Sequence, residues 1–296
     1  MKVLVTGGTG FVGPKVVHAL RARGHDVRAL VRNPRRAGTL EAWGCELAEG
    51  DMTAPESLRA ATEGCDAVVH LVAIIAGNPG DFERVMTEGT QLLVAAAEHA
   101  GVRRFVLMSA LGVSNETKDL VPYYRAKWDM EQAVVGSGLE RVIFRPSFVF
   151  GREGGVLPTF VRQVRWSPVT PVVGPGTARL QPIWVDDVAA FFASSVDLPA
   201  AANHTFELGG PDAVTWNELF ERLRSVLGKR RATVHLPFGL VRAGAAVAER
   251  LPKAPVTRDQ LTMLEHSGDN VCDIRPAVET FGIEPVSLDE QLRRGI

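Results

Sequence analysis

The sequence predicts an α/β fold, a doubly wound parallel sheet followed by a smaller, mostly helical C-terminal domain. Three observations support this prediction. Short apolar runs alternate with helical patterns as far as residue 146. The runs lack the polar alternation of half-exposed strands, which is typical of parallel strands covered on both faces. Beyond residue 150 the composition changes, because residues 151–182 are rich in Gly and Pro.

Each predicted strand is a short run of mainly apolar, often β-branched residues that ends at a turn or a polar residue. The predicted strands are residues 3–5, 26–31, 45–49, 67–72, 104–108, 141–144 and 204–208. The predicted helices carry apolar residues three or four positions apart, and Pro14 and Pro55 fit first helical turns. They cover residues 11–20, 35–43, 55–62, 82–99, 123–135, 186–196, 215–227, 239–250 and 257–265.

The most informative motif follows the first strand and reads Gly7-Gly8-Thr9-Gly10-Phe11-Val12-Gly13. A glycine turn between strand and helix lets backbone N–H groups reach a pyrophosphate at the positive end of the helix. Gly7 is expected to make the tight turn, Gly10 to admit the phosphates, and Gly13 to let helix pack on strand. An ordinary glycine-rich turn is the alternative, and the strand–turn–helix setting favours a dinucleotide site.

This motif predicts that residues 1–150 form a Rossmann-type dinucleotide-binding domain, to which residues 183–208 are expected to return. Residues 151–182 and 209–296 are expected to form the smaller, substrate-binding domain. A Gly- and Pro-rich stretch as long as residues 151–182 indicates functional loops. Gln181, Arg152 and Arg179 are candidate substrate contacts by their position.

The end of the second strand bears on the choice of cofactor. Dinucleotide sites that prefer NAD place an acidic residue there, and this chain has Arg32 instead, with Arg35 and Arg36 close behind. A guanidinium suits a phosphate. An exposed basic turn is the alternative interpretation. The sequence therefore favours NADP(H) and leaves NAD(H) open.

Tyr123 and Lys127 stand four residues apart in a predicted helix and so share one face. The pair offers a proton donor and a cation beside it, and an ammonium near a phenol is expected to favour the phenolate. The lysine can also hydrogen-bond a nicotinamide ribose. Such spacing is common on helices, and it gains meaning from the nucleotide motif upstream.

Together these motifs resemble those of short-chain dehydrogenases/reductases of the extended or atypical type. The shared segments after the glycine motif are Gly50-Asp51-Met52, Tyr123-Tyr124-Arg125-Ala126-Lys127 and Arg145-Pro146-Ser147-Phe148-Val149-Phe150-Gly151. More narrowly, the chain resembles proteins related to the NDUFA9-type accessory subunit of respiratory complex I. The segments behind that match are Met108-Ser109-Ala110-Leu111-Gly112, Leu180-Gln181-Pro182-Ile183-Trp184-Val185-Asp186-Asp187-Val188-Ala189 and Leu208-Gly209-Gly210-Pro211.

The resemblance implies a role for each matching residue. Tyr123 would be the acid/base and Lys127 its partner. Asp51 and Met52 would border the adenine, and Ala73 would lie along the cofactor. The nicotinamide pocket would be lined by Pro146, Ser147, Phe148 and Val149.

Two positions depart from the family pattern. The third catalytic member is a Ser or Thr, and its position falls on Ala110 or Leu111, while Ser109 stands one place early. Neighbouring strand residues point to opposite faces, so Ser109 is expected to point away from the substrate. Met86 stands where active extended members often have Asn. His70, at the end of a buried strand, is expected to be a hydrogen-bonded structural histidine.

Two functions of different classes are consistent with these features. The first is an NADP(H)-dependent oxidoreductase or epimerase that acts on a small carbonyl or alcohol, with Tyr123, Lys127 and Ser109 as the candidate catalytic set. The second is an NADP(H)-binding accessory, assembly or redox-sensing protein with weak or no turnover. The Tyr–Lys pair favours the enzyme, and the Ser109 departure favours the accessory protein. The sequence does not identify the substrate.

Composition narrows the partners and the compartment. A net charge of −1 argues against nucleic-acid binding, and three well-separated cysteines predict free thiols and no metal site. With no signal peptide or membrane-length apolar run, a cytoplasmic protein is expected. Two options stay open, a homodimer through helices 82–99 and 123–135, and peripheral association with a membrane respiratory complex through the apolar stripe in 236–251.

Overall fold

The protein is described by a computed structural model that covers residues 1–75, 77–248, 257–266 and 268–296. The chain divides into two compact units. The first comprises Met1–Pro146, Val185–Leu208 and Ile274–Glu284, and the second comprises Ser147–Trp184, Gly209–Asp273 and Pro285–Ile296. The last two residues of the predicted helix 239–250, and the end of the predicted apolar stripe, lie outside the described residues.

The first unit is built on a seven-stranded sheet in which all neighbouring strands are parallel. Its strands are β1 (Lys2–Thr6), β2 (Asp26–Val31), β3 (Glu46–Glu49), β4 (Ala67–His70), β5 (Arg104–Met108), β6 (Glu140–Pro146) and β7 (His204–Leu208). Their order across the sheet is β7-β6-β5-β4-β1-β2-β3. The direction of winding reverses between β1 and β4, and open α/β sheets bind ligands at the carboxyl ends of strands at such a point.

Helices connect and cover these strands. They are α1 (Gly13–Ala22), α2 (Gly38–Ala42), α3 (Pro55–Thr62), α4 (Pro79–Phe82), α5 (Gly89–His99), α6 (Pro122–Val135), α7 (Val185–Ser195) and α8 (Arg275–Phe281). A 3₁₀ turn, Pro34–Arg36, precedes α2. Between α4 and α5 the chain forms a π-helical segment, Glu83–Glu88. Helices α1 and α3 each have a proline in the first turn, where its missing N–H costs no hydrogen bond.

Two groups of side chains form the core of the first unit. One joins the sheet to α3, α5 and α6, and its fully buried members include Leu4, Leu58, Val68, Leu93, Phe105 and Met130. The other is aromatic. The ring centroid of Phe281 in α8 lies 5.1 Å from that of Phe206 in β7 and 5.5 Å from that of Phe191 in α7. Residues 274–284 therefore belong to the first unit, although the sequence placed them in the second domain.

The second unit contains helices and short two-stranded sheets. Its helices are Leu157–Trp166, Trp216–Val226, Phe238–Ala248, Arg258–His266 and Leu288–Arg294. Val169–Val173 pairs in parallel with Ala232–Leu236, Val149–Phe150 in parallel with Ile183–Trp184, and Arg179–Leu180 antiparallel with Val214–Thr215. The prediction that residues 151–182 are mainly loops was wrong, because this stretch holds a ten-residue helix and a five-residue strand.

The predicted α/β order and the doubly wound parallel sheet are confirmed. Strands β2, β5 and β7 and helix α3 have the predicted bounds. Strand β4 ends two residues earlier than predicted, at His70, and β6 continues two residues further, to Pro146. The predicted helix 35–43 begins as the 3₁₀ turn, and the predicted helix 82–99 contains the π-helical segment.

Candidate nucleotide-binding and active site

The glycine motif forms a tight turn between β1 and α1. Gly7 has a φ of +76°, which side chains rarely adopt. The N–H of Gly10 donates to the carbonyl of Gly7 at 3.0 Å. A Cβ at Gly13 would lie 2.3 Å from that same carbonyl oxygen, so only glycine lets α1 begin this close to the turn. Within the described residues, a Cβ built at Gly10 would approach just the Gly7 oxygen, at 3.3 Å, so the space in front of Gly10 is open.

The start of α1 suits an anion. Thr9 and Gly10 are exposed, and Phe11 is half-buried. In the first turn of α1, which is described in full, no acidic residue is present and Val12 gives no side-chain cap. The free N–H groups and the positive end of the helix are therefore available to a phosphate. On these observations, the residues present fit a dinucleotide pyrophosphate.

Arg32 follows β2 and is exposed. Within the described part of the chain, no carboxylate forms an ion pair with its guanidinium. The nearest acidic group is Asp51, which mainly accepts hydrogen bonds from the N–H and hydroxyl of Thr53, at 2.9 and 2.7 Å. These bonds lower the pKa of Asp51, and the charges of Arg32 and Arg84 lower it further. Arg32 thus keeps its hydrogen-bonding groups free for another anion.

Two further residues expected at the cofactor lie near the same edge of the sheet. Met52 is buried and packs in the core, where a Cβ at Gly89 in α5 would lie 3.0 Å from its Cβ. Its side chain is therefore used in packing. Ala73 is exposed in the segment that follows β4. That segment passes beside the glycine turn, since a Cβ at Gly7 would lie 3.0 Å from the carbonyl carbon of Leu71.

Tyr123 and Lys127 lie one turn apart on α6. The Lys127 ammonium is 6.0 Å from the centre of the Tyr123 ring, and it donates to the carbonyl of Met108 at 2.6 Å. Lys127 is 1% exposed. The Tyr123 ring packs edge-on against Phe82, with centroids 6.5 Å apart. The pair is thus held at the carboxyl end of β5, on the face of α6 that meets the sheet.

Burial controls the protonation of both groups. It raises the pKa of the Tyr123 phenol, and the adjacent Tyr124 adds to the rise. It lowers the pKa of Lys127 to about 7, against the opposing influence of Glu131. The expectation that Lys127 favours a phenolate was wrong, because desolvation disfavours both charged forms. Tyr123 is a neutral phenol and can donate a proton.

Ser109 lies directly after β5 and is buried. Its N–H donates to the carbonyl of Phe144 at 2.7 Å, and its hydroxyl oxygen is buried without a hydrogen-bond partner among the described residues. Thr87, in the π-helical segment, has a buried hydroxyl in the same condition. No contact within the described chain joins Ser109 to Tyr123 or Lys127. Its assignment to the catalytic set remains a prediction.

The pattern search missed a buried ion pair next to Lys127. Glu131, one turn further along α6, is 3% exposed. Both of its oxygens accept from Arg145 in β6, Oε1 from Nε at 2.9 Å and Oε2 from Nη2 at 2.6 Å. The i, i+4 spacing of Lys127 and Glu131 could have indicated their proximity, but the partner from β6 depends on the strand order.

A second missed feature is a buried chain of hydrogen bonds around His70 at the end of β4. The Thr90 hydroxyl donates to the carbonyl of Met86 at 2.5 Å, so it accepts from His70 Nε2 at 3.0 Å. Nδ1 then accepts from the hydroxyl of Thr6 at 2.6 Å. Burial lowers the pKa of His70 to about 3, and the charge of Lys127 lowers it further. The expectation of a structural histidine is confirmed, and the imidazole is neutral.

The remaining predicted site residues lie at and beyond the end of β6. Pro146 accepts the N–H of Leu111 at 2.9 Å. The next three belong to the second unit and are described there. The Ser147 hydroxyl donates to Asn270 Oδ1 at 2.5 Å, the Phe148 ring packs edge-on against Trp216, and Val149 starts a strand.

Two of the guessed substrate contacts are used inside the second unit. Gln181 is buried, donates to the carbonyl of Gly210 at 2.7 Å and accepts from the N–H of Cys272 at 2.8 Å. Arg179 forms an ion pair with Asp269 at 2.8 Å. Both contacts hold residues 269–272 against the neighbouring strand, so these side chains serve the fold. Arg152 is exposed.

Metal ions and membrane spans were also considered. No group of three or more His, Cys, Asp or Glu residues in the described ranges is arranged to hold a metal ion. In the same part of the chain, every helix is too short or too polar to traverse a lipid bilayer.

Relatives of this chain include both accessory proteins and reductases. It is 28% identical to the photosystem II assembly factor Ycf39 of Synechocystis over 96% of this chain and 86% of that protein. It is 30% identical to the mitochondrial NADH dehydrogenase [ubiquinone] 1 alpha subcomplex subunit 9 of Arabidopsis thaliana, over 82% and 62%. It is 28% identical to the 4-hydroxy-2-methyl-3-oxo-4-farnesyl-3,4-dihydroquinoline-1-oxide ketoreductase of Stigmatella aurantiaca, over 99% and 90%.

Solved structures share the fold. The NADPH-dependent quinone oxidoreductase QOR2 of Escherichia coli, complexed with NADPH, superposes with a TM-score of 0.80 at 20% identity and 98% coverage of both chains. A short-chain dehydrogenase/reductase superfamily protein of Agrobacterium tumefaciens with bound NAD superposes with a TM-score of 0.75 at 24% identity, over 100% of this chain and 96% of that one. The sequence model of the NAD(P)H-binding family matches residues 7–197, from the glycine turn to the end of α7 and just beyond. The chain belongs to this NAD(P)H-binding family, within the atypical short-chain dehydrogenases/reductases.

Proposed function

We propose that this protein is an NADPH-dependent reductase of a small carbonyl compound, with Tyr123 as its proton donor. The observation that carries the proposal is the protonation state of the buried pair on α6. Burial raises the pKa of Tyr123, so the phenol keeps its proton at neutral pH. A reduction requires a proton at the substrate oxygen, and a neutral phenol can supply it.

The cofactor would be held at the carboxyl edge of the sheet. The turn Gly7–Gly13 and the start of α1 would bind the pyrophosphate, and Arg32 would bind the 2′-phosphate. Arg32 is exposed and without an ion pair in the described residues, which supports NADPH over NADH. When bound, the nicotinamide supplies the hydride.

Lys127 would orient the cofactor and support the proton donor. Its ammonium already donates to the Met108 carbonyl, which fixes its position. With a pKa lowered to about 7, the amine gains charge readily when an anionic cofactor arrives. The buried hydroxyl of Ser109 supports a further polar contact near this edge.

The substrate class follows from the relatives by name. One is a ketoreductase, and a structural neighbour is a quinone oxidoreductase. We therefore expect activity with 3-oxoacyl compounds or quinones. The first experiment is to purify the protein, titrate it with NADPH and NADH by fluorescence, and screen NADPH oxidation with both compound classes.

The decisive variant is Tyr123→Phe, and Tyr124→Phe is its matched control. Tyr123→Phe should lower turnover by at least 100-fold with little change in NADPH affinity, because it removes only the proton. Tyr124→Phe should stay active. The chain has only two tyrosines, so the tyrosinate absorbance of Tyr124→Phe reports on Tyr123 alone. Equal turnover of Tyr123→Phe and wild type on a verified substrate would contradict the role of Tyr123.

A second function, an NAD(P)H-binding accessory or assembly protein, is favoured by one observation. The hydroxyl of Ser109 is enclosed and makes no contact with Tyr123 within the described residues. Relatives include an assembly factor and a complex I subunit. For this function Tyr123→Phe should be silent, whereas Gly10→Val, which fills the open space of the turn, should abolish cofactor binding and partner association.

A further inference from the structure

The carboxylate beside Lys127 is held by a different cation. Glu131 follows Lys127 by one helical turn and is buried, so it could pair with the ammonium directly. Instead, both of its oxygens accept from the guanidinium of Arg145, at 2.9 and 2.6 Å. The Lys127 ammonium donates to the Met108 carbonyl. Two buried cations thus share one carboxylate, and the arginine holds it.

We propose that Arg145 is a positioning residue that binds both oxygens of Glu131, keeps this carboxylate from binding Lys127, and so leaves the ammonium to the Met108 carbonyl and the cofactor. A planar guanidinium suits this task, because it satisfies both oxygens of a carboxylate at once. A lysine bound tightly by a buried carboxylate would have its hydrogens occupied and its charge neutralised. The role in cofactor contact rests on the proposed function, and the competition for Glu131 does not.

The surroundings of Lys127 supply no other carboxylate. Its charged and titratable neighbours among the described residues are Glu131 and Tyr123 on α6, and His70, which is neutral, on β4. From β6, Arg145 faces Glu131 and also feels the charge of Glu207 across the β6–β7 pairing. Glu131 is therefore the one acidic group that acts on Lys127, and Arg145 controls it.

The test is a pH titration of the lysine side chain by NMR, performed without any nucleotide. Lysine labelled with ¹³C at Cε reports the charge of Nζ, and the Lys127→Arg spectrum identifies the Lys127 resonance. The wild-type midpoint is expected near pH 7. In Arg145→Met the freed carboxylate should bind Lys127 and move the midpoint up by about one pH unit or more. In Glu131→Gln the midpoint should move below that of the wild type.

Two controls separate positioning from simple packing. Arg145→Lys keeps a cation for Glu131 and should leave the midpoint close to that of the wild type. Glu140→Gln breaks the ion pair between Arg104 and Glu140, at the opposite end of β5 and β6, and should not move the midpoint. Both controls contain a disturbed ion pair, so loss of stability alone cannot produce the expected pattern.

Unchanged midpoints in both Arg145→Met and Glu131→Gln would overturn the proposal. If Arg145→Met does not fold, Glu131→Gln decides, because an unaltered midpoint without the carboxylate shows that Glu131 does not act on Lys127. Binding of NADPH does not enter this titration. A failure of the cofactor assignment would appear in the fluorescence titration and leave the NMR result intact.

Discussion

Strands β5 and β6 carry buried basic side chains at both ends, and the two ends treat them differently. At the start of the strands, Arg104 is 2% exposed and donates to the carbonyls of Ser195 and Leu198, at 2.6 and 3.1 Å, and to Glu140 at 2.8 Å. At the far end, Lys127 has one carbonyl partner, and the hydroxyl of Ser109 has none in the described chain.

The difference separates structural from functional polarity. A buried cation with several partners has been compensated for its loss of water, and removing it leaves carbonyls and a carboxylate unsatisfied. A buried amine with one partner has not been compensated, and its pKa falls. Incomplete satisfaction at the carboxyl edge is therefore a physical sign of a site that awaits a ligand.

The largest expected effect tests the structural end. Arg104→Met should lower the free energy of unfolding by about 3–5 kcal/mol, because the carbonyls of Ser195 and Leu198 lose their donor. Urea denaturation followed by circular dichroism measures it. The neighbouring exposed Arg103 provides the control, since Arg103→Met should change stability by less than about 0.5 kcal/mol. A small loss in Arg104→Met would show that the two ends do not differ as described.

The second prediction tests the functional end. The pKa of Lys127 is lowered to about 7 in the folded state, from 10.5. Between these values the unfolded chain binds the proton and the folded chain does not, so the free energy of unfolding rises with pH. The contribution is at most about 1.4 kcal/mol per pH unit.

Lys127→Met should therefore lose stability more slowly than wild type as the pH falls from 9.5 to 7.5. Denaturation curves at several pH values measure the difference. Lys118→Met, at a partly exposed lysine near the same helix, should keep the wild-type dependence. Parallel curves for wild type and Lys127→Met would mean that Lys127 is compensated after all.

The third prediction concerns a satisfied group at the functional end. His70 has a pKa lowered to about 3 from 6.5, so the unfolded chain binds a proton in this interval and the folded chain does not. Acidification from pH 6.5 towards pH 3 should therefore destabilise the wild type. His70→Gln should lose this contribution, while His204→Gln, at an exposed histidine, should retain it. An unchanged acid response in His70→Gln would refute the neutral imidazole.

The smallest expected effect concerns an exposed group at the same edge. Arg32→Ala should weaken NADPH binding about tenfold, equivalent to about 1.4 kcal/mol, and leave NADH binding unchanged. Stability should not change, because no ion pair is lost. The control is Arg23→Ala, at an exposed arginine that follows α1. Equal losses for NADPH and NADH would remove Arg32 from the 2′-phosphate.

Local sequence signals predicted the sheet unit well. Apolar runs bounded by turns located β2, β5 and β7, and the glycine spacing located the turn whose close contacts require Gly13. The second unit was harder, because composition obscured its elements. In helix Leu157–Trp166 a proline occupies the first turn, and in strand Val169–Val173 a proline sits in a strand with a single pairing partner.

The candidate site was predictable only where its residues share one element. Spacing on α6 paired Tyr123 with Lys127. The partners from other elements, Arg145 for Glu131 and Thr6 for His70, follow from strand order, which no local pattern contains. The direction of the Tyr123 pKa was missed for the same reason, since burial is a property of the packed sheet and helix.

The π-helical segment Glu83–Glu88 makes the length of its helix a fixed quantity. A π turn closes over one more residue than an α turn, so the segment holds a one-residue surplus. Deleting a residue there would restore the regular ladder and rotate everything downstream by about 100°. Thr90 would swing away from His70, and Gly89 away from Met52. A homologue one residue shorter at this point must therefore replace the histidine or give it a new partner, which makes the residue count here a readable marker of lineage.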